Sequence, residues 1–136
     1  MVYISENYQG RLPEVDITNI QGNAPDDAKR FVWSLFRLCL GGPGWFGSSI
    51  GEHIECVEVN IWEETASEPP KAQTVFEVEV TKDMCNCFRV LHGACAAYII
   101  DHCSMSSTVA LGTLVGKDGM GLSQNMNITW HEGPTM

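Results

Sequence analysis

Met84-Cys85-Asn86-Cys87-Phe88-Arg89-Val90-Leu91-His92-Gly93-Ala94-Cys95-Ala96-Ala97-Tyr98-Ile99-Ile100-Asp101 is the stretch on which the reading of this chain turns. An irregular polar turn leads into a His-Gly step, and beyond it Ala94 to Ala110 carries neither Gly nor Pro and little charge. That continuity predicts a long helix. Its residues are small or apolar all round, so the helix is expected to be buried on every face rather than laid on a surface. Asp101 falls in its middle. An ionised carboxylate in a dry core costs several kcal/mol unless it is partnered, so an acid placed there needs a reason.

Working outward, the neighbouring segments look built to wrap that helix. Residues 1–24 are mixed and polar, broken by Gly10, Pro13 and Gly22, and are expected to form an N-terminal arm with at most a short ordered piece. Pro25-Asp26-Asp27 supplies acids at a helix start, and Phe31, Val32, Leu35, Phe36, Leu38 and Cys39 follow at spacings of three and four. Asp26 to Leu40 is therefore predicted to be an amphipathic helix, ended by Gly41-Gly42-Pro43. Two runs of period two come next. Val57, Val59 and Ile61 alternate with Glu58 and Asn60, and Phe76, Val78 and Val80 alternate with Glu77 and Glu79. Each predicts a strand with one buried face. The acidic Glu63–Ala72 segment with Pro69-Pro70 is their connecting loop. After the apolar helix, Gly112–Gly121 is a loop with an Asp118-Gly119 turn signal. A third strand is expected over Leu122–Trp130, with Met126, Ile128 and Trp130 on one face and Ser123, Asn125, Asn127 and Thr129 on the other. Helix, strand, strand, helix, strand without crossovers points to the α+β class, an antiparallel sheet with a helix packed on it.

Bulk properties narrow the function. A chain of 136 residues makes one domain with a single core. Its formal net charge of −9 argues against nucleic acid and anionic membranes, which call for a basic face. No apolar run approaches the ~18 residues of a membrane span, and the N-terminus lacks a basic segment followed by an apolar one. The expected setting is intracellular, cytoplasmic or mitochondrial. Of the cysteines at 39, 56, 85, 87, 95 and 103, four lie in or beside the apolar helix, where Cys behaves as a small hydrophobe. Reduced thiols are expected, and the Asn127-Ile128-Thr129 sequon is then without consequence.

Several motif matches lack the context their chemistry needs. Gly42-Pro43-Gly44-Trp45-Phe46-Gly47 fits the dinucleotide pattern, which requires a strand before it and a helix N-terminus after it. No strand precedes it here. Gly47-Ser48-Ser49-Ile50-Gly51 fits the nucleophile elbow, which needs the same order and a larger sheet. A flexible connector accounts for both. Cys85, Cys87, His92 and Cys95 lack the pair spacing of zinc modules. Nothing in the sequence lowers a thiol pKa for a Cys nucleophile with His92 as its base.

Asn86, His92-Gly93, Asp101 and Ser123 form a different constellation. The Gly93 N–H falls at the positive end of the long helix, where backbone donors are unpaired. Such a donor can stabilise a developing oxyanion, and glycine lets a substrate approach the backbone closely. Asn86 can add an amide donor. Asp101 lies about two and a half turns further on, roughly 13 Å by helical rise, too far to act on the same carbonyl within one subunit. A two-fold dimer removes the difficulty, with Gly93 from one chain and Asp101 from the other. The same residues also fit a purely structural role, as a capping Asn, a satisfied core His and a solvated or interface Asp.

These residues carry a resemblance. Thr81–Trp130 is similar to the core of hotdog-fold acyl-CoA thioesterases, and within them to the subfamily of thioesterase superfamily member 2 and the phenylacetate-pathway thioesterases. The matching text is Val80-Thr81-Lys82-Asp83-Met84-Cys85-Asn86, Leu91-His92-Gly93, Ala96-Ala97-Tyr98-Ile99-Ile100-Asp101, and Ser123-Gln124-Asn125-Met126-Asn127-Ile128-Thr129-Trp130. The resemblance implies a long central helix wrapped by an antiparallel sheet, in a homodimer or homotetramer with sites between subunits. It implies hydrolysis of an acyl-CoA thioester to a carboxylic acid and CoA, with no metal or prosthetic group. Asn86 and the Gly93 N–H would polarise the carbonyl, and His92 would shape the turn. Asp101 would serve as general base or nucleophile, and Ser123 would position the water or the Asp. A carboxylate at a partly dry interface is expected to have a raised pKa, which suits proton abstraction.

The chain departs from the family pattern in three places. Arg89 stands where a small residue is expected, Ala94 replaces the second Gly of His-Gly-Gly, and the strands that follow the equivalent of Trp130 are absent. The expected organisation is thus an arm over 1–24 and a thioesterase-like domain over 25–136, incomplete at its C-terminus. One alternative function is a catalytically inactive hotdog module that binds acyl thioesters or serves oligomerisation. Another is a serine hydrolase using Ser49.

Overall fold

The computed structural model describes residues 6–134 apart from Gln9, Gly41 and Pro43. Helix α1 (Asp26–Leu40) has the predicted bounds, and Phe31, Val32, Leu35 and Phe36 are buried as the three–four spacing requires, joined by Ala28 and Leu40, while Leu38 and Cys39 are only half-buried. Two polar residues join that face. Ser34 is buried, and so is Lys29, whose Nζ donates to the Ile20 carbonyl at 3.0 Å. This bond pins the preceding segment to α1 and places Ile20 and Ala24 in the core. The turn Glu6–Tyr8 is the arm's short ordered piece, and Tyr8 packs on Phe31 with ring centroids 6.0 Å apart.

Strands β1 (Ile54–Trp62) and β2 (Lys71–Val78) form an antiparallel hairpin, with Ile54 opposite Val78 and Trp62 opposite Lys71. The expected inward face of β1 needs correcting. Cys56 lies opposite Phe76 and Glu58 opposite Val75, so Val57 is an extra residue. A bulge of this kind shifts the side-chain phase. Ile54, Cys56 and Val59 are consequently the buried apolar residues, in place of an unbroken Val57–Val59–Ile61 face, and Asn60, expected on the wet face, is buried too. The outer edge of β1 is occupied by the end of the arm, which is packed against the domain rather than free of it. Gln21 N–H donates to Val57 O at 2.8 Å, and Val59 N–H donates to Gln21 O at 3.0 Å. The ring of Phe76 on β2 stacks on Phe36 of α1 at 4.7 Å, closing a second core cluster with Leu40 and Ile54.

A short helix α2 (Ser48–Gly51) precedes the hairpin, and the long helix α3 (Gly93–Val115) follows it. The expectation that this helix is buried on every face is not met. Cys95, Ser106, Val109, Ala110, Gly112 and Thr113 are buried, but Ile100 and Val115 are 42% and 41% exposed. One hairpin and α1 cover only part of its circumference. The expected third strand is also absent. Leu122–Trp130 has no ladder among the described residues, and Leu122 is 92% exposed. Alternation supplies a strand's side-chain pattern but not the partner edge that its backbone needs. Here α3 lies between the two. The hairpin packs toward Ile99, Cys103 and Ser107, whereas Met120–Ser123 lies beside Asp101, Met105 and Thr108. The architecture is α+β, a two-stranded antiparallel sheet with a long C-terminal helix. Among the described residues no helix is long and apolar enough to cross a membrane.

Candidate functional site

Asn86 builds the entrance to α3. Its Oδ1 accepts the N–H groups of Phe88 at 2.9 Å and Val90 at 3.3 Å, while its own N–H donates to Val90 O at 2.9 Å. This turn puts Arg89 at φ 61°, the left-handed region that disfavours residues bearing a Cβ. With Oδ1 turned inward, the Nδ2 amide is the group Asn86 has left to offer. His92 is the N-cap of α3, its Nδ1 accepting the Ala94 N–H at 3.0 Å, so the neutral ring carries its proton on Nε2. His92 N–H donates to Met84 O at 2.9 Å, locking the turn under the helix start. Gly93 is the first helical residue, and among the described residues no acceptor takes its N–H. Asn86, His92 and Gly93 thus share one end of α3.

Asp101 and Ser123 meet elsewhere. Beyond α3 the chain turns at Asp118, whose Oδ1 accepts the Met120 N–H at 3.0 Å. Thr108 Oγ1 donates to Gly119 O at 2.8 Å, an approach so close that a Cβ on Gly119 would collide with the Thr108 carbonyl. The segment then runs back along α3. Ser123 Oγ donates to Asp101 Oδ1, the Trp130 indole lies about 3.5 Å from where a Cβ on Gly93 would stand, and Leu91 N–H donates to Pro134 O at 3.0 Å. Asp101 and Ser123 line a cavity of about 550 Å³, together with His102, Met105, Met120 and Leu122. This is within the size range of small-molecule sites, and its wall is mostly apolar with a few convergent polar groups.

Burial shifts several ionisable groups on and around α3. Desolvation lowers the pKa of His102 against the opposing pull of Asp101. Tyr98 is pushed up by burial, and its hydroxyl donates to Phe46 O at 2.9 Å. Burial raises the Cys95 thiol, takes Cys103 to about 11 and Cys56 to about 12, and so keeps all three away from the thiolate. All six cysteines are free. Among the described residues no cluster of three or more His, Cys, Asp or Glu is placed to hold a metal ion.

Five residues single themselves out in the sequence, and the structure gathers them into two groups. Asp101 joins Ser123, while Asn86, His92 and Gly93 lie about two and a half helical turns away. Ser49 sits within α2 with no strand before it, so the elbow geometry is not formed. Sequence reasoning missed His102, although it directly follows Asp101, because a neighbour one residue on along a helix usually points elsewhere. It also missed the packing of Trp130 over Gly93, which depends on the path of residues 119–134. The chain matches no family model, no curated protein and no solved structure.

Proposed function

We propose that the chain hydrolyses acyl-CoA thioesters, in a hotdog-type arrangement of which the hairpin and long helix form part. The observation that carries the reading is the bond from the Ser123 hydroxyl to the Asp101 carboxylate on the wall of a mostly apolar cavity. Ser123 occupies one carboxylate oxygen and leaves the other to hold a water. Met105, Met120 and Leu122 offer the acyl chain an apolar wall. Asp101 activates the water, or attacks the carbonyl itself. The Gly93 N–H and the Asn86 amide of a second copy polarise the thioester carbonyl and stabilise the charge that develops on its oxygen. Collapse of the tetrahedral intermediate breaks the C–S bond and releases CoA and a carboxylic acid. A CoA thioester substrate is consistent with a cytoplasmic or mitochondrial setting.

The deciding experiment is free-thiol release from a panel of acyl-CoAs by this chain and by Asp101→Asn. A fall of about 10²–10⁴ in kcat is expected for loss of the base. Absence of turnover from folded, soluble protein overturns the hydrolase. A second reading, a module that binds acyl thioesters or only oligomerises, draws on Arg89 at φ 61° beside the oxyanion donors and on the open face of α3. It expects saturable acyl-CoA binding with no Asp101-dependent turnover.

A further inference from the structure

We infer that His102 is the proton acceptor of the Asp101–Ser123 cavity, a role that rests on the hydrolase reading. Three observations converge on it. His102 lines the same cavity wall as Asp101 and Ser123 and is half-buried there. Its ring packs edge-to-face with that of Tyr98, with centroids 4.5 Å apart and planes at 65°. The Tyr98 hydroxyl is committed to Phe46 O, and among the described residues no group bonds either ring nitrogen of His102. An imidazole with its nitrogens unclaimed therefore shares the cavity wall with the carboxylate that would hold the water.

The charge balance agrees with the placement. The titratable groups around the ring are Asp101 and Tyr98 on α3, and Cys39, which reaches the cavity from α1. Burial pushes both Tyr98 and Cys39 upward, so both are neutral near pH 7, and Asp101 is the charged neighbour. Desolvation outweighs Asp101 and lowers the His102 pKa, so the imidazole is a free base at neutral pH. In the step itself, His102 replaces Asp101 as the base, and Asp101 and Ser123 orient the water. Its oxygen bonds to the thioester carbon as one proton passes to His102. The C–S bond then breaks with its electron pair on sulfur, and the imidazolium returns the proton to the thiolate. Thioester and water become carboxylic acid and thiol, and His102 ends as it began.

The test compares kcat/KM against pH for the wild type and His102→Gln, with His102→Ala assayed with and without added imidazole. The wild type is expected to gain activity as pH rises through a single group titrating below 6.5, the ordinary histidine value. His102→Gln is expected to lose about 10²-fold or more in kcat with KM nearly unchanged, and to lose that acidic limb. Imidazole is expected to restore part of the His102→Ala rate, which a merely structural role would not predict. Wild-type kcat and an unchanged limb in His102→Gln overturn the inference, and if Asp101→Asn is then inactive, the hydrolase stands without His102. A wild type that turns over no acyl-CoA overturns both.

Discussion

Gly93 offers a way to remove one backbone donor without disturbing the helix that carries it. It is the first helical residue of α3, and His92 before it lies at φ −64°, ψ 132°. Proline is well tolerated at this position because the missing N–H has no helical partner there, and an extended preceding residue suits it. Gly93→Pro is therefore expected to keep the fold, as seen in an unchanged far-UV spectrum and melting midpoint. If the Gly93 N–H stabilises the oxyanion, the variant loses about 10²–10³ in kcat for acyl-CoA hydrolysis. An unaffected kcat would assign Gly93 to packing under Trp130 alone.

At the scale of the element, the turn before α3 carries a strain that its own hydrogen bonds maintain. Asn86 accepts from Phe88 and Val90 and leaves Arg89 at φ 61°. The left-handed region costs a residue with a Cβ about 1–2 kcal/mol, while glycine increases unfolded-chain entropy by somewhat less. Arg89→Gly is thus expected to stabilise the chain by up to about 1 kcal/mol, read as a higher urea midpoint at unchanged m-value. A lower midpoint would mean that the Arg89 side chain makes a contact outweighing the backbone strain. The strands show what local pattern leaves open. Alternation in β1 correctly marks a half-buried strand, but the Val57 bulge changes which residues face inward, and no residue type in the run announces a bulge.

On the scale of the whole molecule, the two halves of the proposed site lie on one continuous helix and cannot close on one carbonyl. Assembly from two copies makes a sharp expectation. Asp101→Asn and Gly93→Pro chains are each inactive alone, but mixed in equal amounts and allowed to exchange they recover about a quarter of the wild-type rate. Half of the dimers are then mixed, and one of their two sites is intact. No recovery despite subunit exchange, shown by differently tagged chains, would exclude a shared site. An assembly of that kind would have an open face of α3 to cover. A helix this apolar with Ile100 and Val115 open is only partly enclosed by its own hairpin.

The sequence by itself determined the elements whose cause is local. It set the bounds and buried face of α1, the hairpin, the start of α3 at His92-Gly93, and the α+β order, because spacing, capping and breakers act within a few residues. Asn86 at a turn and His92 at a helix start belong to this class. Only the tertiary structure decided how much of α3 is covered, that Leu122–Trp130 runs unpaired along it, and that Ser123 reaches Asp101 while His102 shares their cavity. Those outcomes depend on which surfaces meet after 119–134 turns back at Gly119. Long-range backbone pairing and close approach are properties of the assembled chain, whereas alternation and composition are properties of a segment.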